Sequence, residues 1–340
     1  MNRTLNVIKC ISAFFVICIH CTLQYSGKIG IAIDGIIRVA VPIFFLISGY
    51  YSYFEDNEVA KKKYKKRIKN LIKLIILSSI LYFIINIINL NSAQEILEYL
   101  KNKFTARNIF TYIVLNASPF QGHLWFLNAL LYCYIICYFM NKYDIKLNKL
   151  YKYIPILITV TIMFGEVASH MKVNITNIYY RNVWFYGLPY FLIGCLINEK
   201  GNKIKELITN KELYFYMLLG TILVIIERFA TAKLDMYIGT IITSISIFIW
   251  CVKNPNLLNI KPLEWIGGKI YTHIYVLHYM VINIVNSYEK SIGINIELRG
   301  SNIYYLNAIV VFLITVILSI VIYNFVNITK KICQKRETVN

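Results

Sequence analysis

Acidic residues are scarce in this sequence. It has 17 Asp and Glu against 36 Lys and Arg, and charged residues of both signs make up only 16% of its 340 residues. With 58% hydrophobic residues and a mean hydropathy of +0.56, this composition excludes an ordinary soluble globular domain. It is typical of a membrane protein with several spanning helices.

The motifs of soluble catalysis are also missing. The sequence contains no GxSxG, Walker, dinucleotide-binding, HExxH or zinc-finger pattern, so any catalysis must use groups inside the membrane. A metal site is not expected, because Cys18, His20 and Cys21 are too close together on one helix to converge on a tetrahedral ion. The 8 cysteines lie mostly in apolar runs, where we expect free thiols.

The basic excess predicts membrane topology rather than nucleic-acid binding, because the basic residues lie in short loops between apolar runs. At about 20 apolar residues per helix, we predict an all-α, polytopic helical bundle of about ten transmembrane helices. Its inside loops hold 23 basic residues and its outside loops ten, which predicts that both termini are cytoplasmic. We expect one membrane domain over residues 1–340, with no appended soluble domain. The predicted spans are roughly 5–24, 32–54, 71–90, 124–141, 153–168, 183–198, 213–230, 236–252, 270–288 and 303–327.

The first predicted span carries two ionisable residues, Lys9 and His20. Eleven residues at 100° each bring their side chains within about 20° on one helix face, roughly 16 Å apart along the axis. Ionisable groups in a span cost on the order of 2.5–3.5 kcal/mol each, so they usually face a bundle interior or a wet cavity. His20 is a candidate general base, with a hydrogen-bonded core histidine as the alternative. Lys9 could instead extend to the headgroups.

The second span carries Asp34 and Arg38 at i,i+4 spacing, where they can pair on one face. Towards its inner end, the segment Ser48-Gly49-Tyr50 lets a ligand or another helix approach closely. The densest basic run of the chain, Lys61 to Lys69, follows directly. Such a run suits anionic lipid headgroups or a phosphorylated cofactor.

Polar residues also mark the predicted outer ends of later spans. His123 and Trp125 begin span four, where a Trp is normally an interfacial anchor. Arg181 stands at the start of span six. Glu227 ends span seven on the same side, and it is the carboxylate best suited to orient His20 and stabilise its charge.

Several of these segments match, in order, the motifs of a known family. A cationic residue, ten residues and a His stand at Lys9 and His20, VPIFFLISGYY at 41–51 matches an FFxxSGY segment, and a basic approach to span three contains Arg67. HLWFL at 123–127, RNVWFYGLPYFLIG at 181–194 and IYVLH at 274–278 match further motifs. The chain thereby resembles the acyltransferase-3 type multi-spanning membrane O-acyltransferases of bacterial cell envelopes. It departs from them in two respects: Lys9 replaces the commoner Arg, which loses the fork geometry, and the esterase-like domain of some members is absent.

The resemblance implies transfer of an acyl group, most often acetyl, at the bacterial cytoplasmic membrane. The donor would be cytoplasmic acyl-CoA (acetyl-CoA), and the acceptor a hydroxyl of an extracytoplasmic glycan or lipid-linked sugar. Lys9, Arg67 and the segment Ser48-Gly49-Tyr50 would bind the CoA. Membrane lipids are expected partners and nucleic acid is not.

The resemblance also implies roles in the chemistry. His20 would be a general base or an acyl relay, and Arg38 or Arg181 would stabilise the oxyanion, with Glu227 beside His20. The residues implied at the acceptor are His123, Trp125 and His278, with a structural role as the alternative for His278. The acceptor glycan and the choice between acetyl and succinyl stay open.

A transporter or flippase of polysaccharide or lipid-linked sugar is the competing class, because it also needs charged groups in spans and a wet path. No inverted repeat is evident, and paired helices show few Gly or Pro breaks. Both observations favour the enzyme.

Overall fold

The computed structural model describes residues 2–21, 23–88, 90–293 and 301–337, and the regular secondary structure in these ranges is helical. The prediction of an all-α fold is confirmed. Outside these ranges lies Arg299, one of the basic residues counted on the outside. The side chains of residues 24, 301–303 and 331–337 are likewise not described, which leaves out the inside residues Lys331, Lys335 and Arg336 and the thiol of Cys333.

Seventeen α-helices follow one another along the described chain. They are α1 (Arg3–His20), α2 (Gly27–Ile36), α3 (Ala40–Tyr50), α4 (Asn57–Ile87), α5 (Ala93–Lys103), α6 (Ala106–Leu115), α7 (Trp125–Lys142), α8 (Asn148–Tyr151), α9 (Ile154–Ile162), α10 (Ala168–His170), α11 (Leu188–Glu199), α12 (Gly201–Leu207), α13 (Asn210–Ala230), α14 (Ile238–Lys253), α15 (Lys261–Lys269), α16 (Tyr271–Ser291) and α17 (Ser301–Glu337). Turns of π-helix at Met163–Val167 and Val183–Gly187 precede α10 and α11. The chain forms two compact units, one of residues 1–40 and 254–340 and one of residues 41–253.

Seven helical segments within the described residues are long and apolar enough to cross a membrane. They are Arg3–His20, Gly27–Tyr50, Asn57–Ile87, Gly122–Lys142, Asn148–His170, Asn210–Ala230 and Tyr304–Lys330. The other three predicted spans also coincide with helix, namely Val183 to Glu199, the shorter apolar helix Ile238–Lys253, and α16. The chain is thus a multi-pass membrane protein, whereas the count of about ten and the cytoplasmic termini stay predictions.

Helix α4 begins at Asn57, well before the predicted third span near residue 71. The carboxylate of Asp56 caps it by accepting a hydrogen bond from the N–H of Val59 at 2.9 Å. Lysine is a good helix former, so the basic run continues from this cap as helix. The run therefore forms the first turns of the spanning helix rather than a separate loop.

In the first unit, α1 packs against α15, α16 and α17. The closest approach is at Gly267 of α15, where a Cβ atom would lie 1.8 Å from the carbonyl oxygen of Asn6. The start of α1 is fixed by Thr4, whose Oγ1 donates to the carbonyl of Asn254 at 2.5 Å. These contacts fix the helix that carries Lys9 and His20.

In the second unit, α3 and α11 are in backbone contact. A Cβ at Gly49 would lie 1.9 Å from the carbonyl oxygen of Phe191, and a Cβ at Gly194 would lie 2.1 Å from that of Leu46. At the end of α3, the side chain of Asn198 donates to the carbonyl of Tyr50 at 2.7 Å. Only glycine permits this separation on both helices.

Candidate active site

Lys9 and His20 both face α16, as their spacing predicts. The ammonium of Lys9 lies 5.3 Å from the ring centre of Tyr271. The ring of His20 lies 5.2 Å from that of His278 and 5.5 Å from that of Tyr279. Lys9 near the start of α1 thus lies beside Tyr271 at the start of α16, and His20 at the end of α1 lies beside His278, further along α16. The two helices therefore run in the same direction.

His278 is fully buried, and its own helix fixes its tautomer. Its Nδ1 lies 2.7 Å from the carbonyl oxygen of Tyr275, which can only accept a hydrogen bond. Nδ1 is therefore the donor, so that Nε2 is the acceptor whenever the ring is neutral. His278, which the family resemblance implies at the acceptor, thus contacts His20, the predicted general base. The same position also suits a purely structural role for His278.

Arg38 and Asp34 form the ion pair that their spacing predicts. The guanidinium Nη2 lies 2.7 Å from Oδ1 of Asp34, and Nε donates to the Asp34 carbonyl at 3.2 Å. The two side chains are only 3% and 1% exposed. Arg38 is thus a buried cation with a fixed orientation, which is what an oxyanion-stabilising group requires.

An open cleft of about 660 Å³ lies at the end of α3 and the start of α4. We call it the basic cleft; it is lined by Tyr50, Tyr51, Tyr53, Phe54, Lys63, Lys66, Arg67, Asn70 and Asn198. Three of these residues are cationic and none is acidic. Burial raises the pKa of the Tyr53 phenol, with a further increase from Glu199, so this hydroxyl remains a donor at neutral pH. The lining can therefore bind an anionic ligand.

The predicted donor-binding residues of the second unit take different positions. Arg67 and Tyr50 line the basic cleft. Arg67 also holds the turn before α4, since its guanidinium donates to the Ser52 hydroxyl and, at 2.7 Å, to the Tyr51 carbonyl. Ser48 instead donates to the carbonyl of Phe44 in its own helix at 2.7 Å. Together with the backbone contact of Gly49, this bond favours helix packing at positions 48 and 49.

A second cavity, of about 360 Å³, lies near the start of α7. We call it the arginine pocket after Arg107 and Arg181, which line it together with Trp125. Trp125 is only 7% exposed, and its ring lies 5.5 Å from the Arg181 guanidinium. Nη1 of this guanidinium also lies 3.4 Å from Oδ1 of Asp235, with which it forms an ion pair. Trp125 is therefore part of a cavity wall rather than an exposed interfacial anchor.

His123 and Glu227 lie outside the linings of these two cavities. His123 is buried, with its ring 5.0 Å from that of Tyr82. The Glu227 carboxylate accepts from the N–H of Gly239 at 2.9 Å, and Glu166 accepts from Ile238 at 3.1 Å, so both carboxylates bind the start of α14. Glu227 thus has a structural function there, and its pairing with His20 stays a prediction.

The two cavities of the second unit lie at opposite ends of one helical segment. Arg181, just before Val183, lines the arginine pocket, and Asn198, at the end of α11, lines the basic cleft. A helix from Val183 to Glu199 spans about 25 Å at 1.5 Å per residue. This length approaches the roughly 30 Å thickness of a bilayer core.

No group of three His, Cys, Asp or Glu side chains in the described part of the chain is arranged to hold a metal ion. Sequence reasoning missed Tyr271, Tyr279, Asp235 and Arg107. The signal for Asp235 was present, because it is the one carboxylate in the connection 231–237, whose other charged residue is Lys233.

A family model described as an acyltransferase domain matches residues 2–324. The match includes residues of both compact units and every predicted site residue. Comparison with curated proteins finds no match, and comparison with solved structures finds none.

Proposed function

Because the chain belongs to the acyltransferase-3 family, and is thus an enzyme that transfers acyl groups other than amino-acyl groups, we propose its donor and acceptor. The donor is acetyl-CoA or a related acyl-CoA on the cytoplasmic side of a bacterial plasma membrane. The acceptor is a hydroxyl of an extracytoplasmic glycan or lipid-linked sugar.

One observation carries this proposal: two polar cavities lie at opposite ends of a helix about 25 Å long. The positive-inside rule assigns the basic cleft to the cytoplasmic side and the arginine pocket to the outer side. An enzyme whose two substrates stay on opposite sides of a membrane needs such a pair of openings.

The basic cleft suits the CoA part of the donor. Lys63, Lys66 and Arg67 supply three cations for phosphate groups, which bind Arg and Lys through charge-assisted hydrogen bonds. Tyr51 and Phe54 supply aromatic faces beside them, suited to an adenine ring. The ammonium of Lys63 lies 4.5 Å from the Phe54 ring centre, so cation and aromatic face are already adjacent.

His20 supplies the base. It removes the proton of the acceptor hydroxyl as that oxygen attacks the thioester carbonyl, and the proton then goes to the departing CoA thiolate. The products are an ester and free CoA, so atoms and charges balance. An acyl relay through His20 gives the same products in two steps. Arg38, held in place by Asp34, is the candidate that stabilises the oxyanion.

Replacement of His20 tests the proposal. We expect purified His20→Gln to bind acetyl-CoA as the wild type does but to lose at least about a hundredfold in ester formation, since a positioned base contributes 10²–10⁴-fold. Gln keeps a polar side chain, so it satisfies any purely structural hydrogen bond.

His170→Gln is the matched control, because His170 is an exposed histidine at the end of α10. It should leave both acetyl-CoA binding and ester formation unchanged. Near-wild-type ester formation by well-folded His20→Gln would exclude a chemical role for His20.

A further inference from the structure

The arginine pocket has the shape and surroundings of a ligand site. Its volume of about 360 Å³ is at the small end of the roughly 300–1,000 Å³ typical of small-molecule sites. Three parts of the second unit build it: α6 with the connection that follows it, the start of α7, and the connection that ends at Arg181. All belong to the predicted outer side of the protein.

The lining combines aromatic and hydrogen-bonding groups in the manner of a sugar site. Trp125 and Tyr179 supply aromatic surface. Asn108 and Asn177 contribute their amide oxygens, since their amide nitrogens already donate to backbone carbonyls and to Asp235. Aromatic rings offer a broad apolar face to the carbon side of a sugar ring, while amides bind its hydroxyl groups. A pocket of this mixed character fits a polar ring better than an acyl chain.

The two arginines add a preference for negative charge. Arg181 is balanced by Asp235 at 3.4 Å, but among the described residues no carboxylate lies within ion-pairing distance of Arg107. The Nε of Arg181 is buried and has no hydrogen-bond partner in the described part of the chain. A buried donor of this kind is costly unless a ligand or water oxygen accepts its hydrogen.

We propose that the arginine pocket binds an anionic sugar unit of the acceptor, with Arg107 and Arg181 contacting its carboxylate or phosphate. The proposal rests on the acyl transfer proposed above, because the pocket lies on the acceptor's side. The sugar ring packs against Tyr179, which lines the pocket and is 50% exposed. The substrate class is thereby narrowed to glycans that carry acidic groups.

Direct binding tests this proposal in the absence of acyl-CoA. The full chain in nanodiscs is dialysed against labelled digalacturonate, a labelled galactose disaccharide phosphate and the neutral galactose disaccharide. We expect at least one anionic probe to bind about tenfold more tightly than the neutral one, at the lower end of what a charge-assisted hydrogen bond contributes. The preferred probe identifies the anion as carboxylate or phosphate.

Arg107→Gln should remove most of this preference, and Arg107→Lys should restore part of it because it keeps the charge. Lys101→Gln is the matched control, since it removes one exposed cation from the same predicted outer connection without touching the pocket. Equal binding of all three probes would overturn the proposal. So would anionic binding by Arg107→Gln as tight as that of the wild type.

Ester formation by the same variants separates this proposal from the proposed function. His20-dependent transfer without an anionic preference would leave the enzyme in place and remove the pocket's role. Arg107-dependent binding of an anionic sugar without any acyl transfer would support the pocket and contradict the proposed reaction.

Discussion

Substitutions at the buried ion pair of Arg38 and Asp34 can distinguish a structural role of Arg38 from a catalytic one. Arg38→Met leaves the Asp34 carboxylate, which is 1% exposed, without the cation that lies 2.7 Å away. Removing one partner of a buried ion pair costs about 3–5 kcal/mol, because the remaining charge is no longer compensated. We therefore expect a strong fall in the thermal midpoint of the purified protein in detergent.

For the double variant Asp34→Asn with Arg38→Met, we do not expect the loss of stability that Arg38→Met causes alone. Replacing both partners of a buried pair is often neutral or stabilising, so the thermal midpoint should return towards the wild-type value. If Arg38 stabilises the oxyanion, ester formation should nevertheless stay about 10²–10³-fold below wild type. Stability and activity then respond differently to the same pair of substitutions.

The exposed ion pair of Lys61 and Glu58 is the matched control. Its atoms are 2.9 Å apart, but Glu58 is largely exposed, and such surface pairs contribute only about 0–1 kcal/mol. Lys61→Met should therefore leave the thermal midpoint almost unchanged. A wild-type midpoint for Arg38→Met would refute the argument from burial, and full activity of the stable double variant would refute the role of Arg38 in the chemistry.

Two further predictions concern the second unit. Lys66→Glu should weaken acetyl-CoA binding several-fold at low salt, as measured by equilibrium dialysis. Lys65→Glu, on the same helix but outside the lining of the basic cleft, should weaken it less. Equal effects of the two variants would contradict the assignment of the basic cleft to the donor. Gly194→Ala should lower the thermal midpoint, because the added Cβ would lie 2.1 Å from the Leu46 carbonyl oxygen. At Gly201 an added Cβ has no neighbouring atom within 4 Å, so Gly201→Ala should be neutral or stabilising. A stable Gly194→Ala would show that α3 and α11 are further apart.

The sequence predicted which stretches form the seven long apolar helices, because apolar length is a strong signal in a membrane protein. It predicted the start of α4 poorly, since hydropathy detects only the apolar part of a helix whose first turns are rich in lysine. The cap at Asp56 was the available signal. Such a cap marks where the backbone turns helical, independently of lipid contact.

Local spacing likewise predicted those site features that depend on a single helix. The shared face of Lys9 and His20 follows from 100° per residue, and the pair of Asp34 and Arg38 follows from i,i+4 spacing. Contacts between helices, such as that of Arg181 with Asp235, do not follow from spacing. They depend on which helices pack together, and one sequence carries no periodic signal for that.

The parallel course of α1 and α16 bears on the number of spans. Consecutive spans alternate in direction, so two parallel spans must have an odd number between them. Five long apolar segments lie between these two helices, and two shorter ones, Val183 to Glu199 and α14, make seven. If α16 and all five long segments cross, then both shorter segments cross or neither does. Since cavities lie at both ends of the first, about 25 Å apart, we expect that both cross, which makes α16 the ninth span and α17 the tenth.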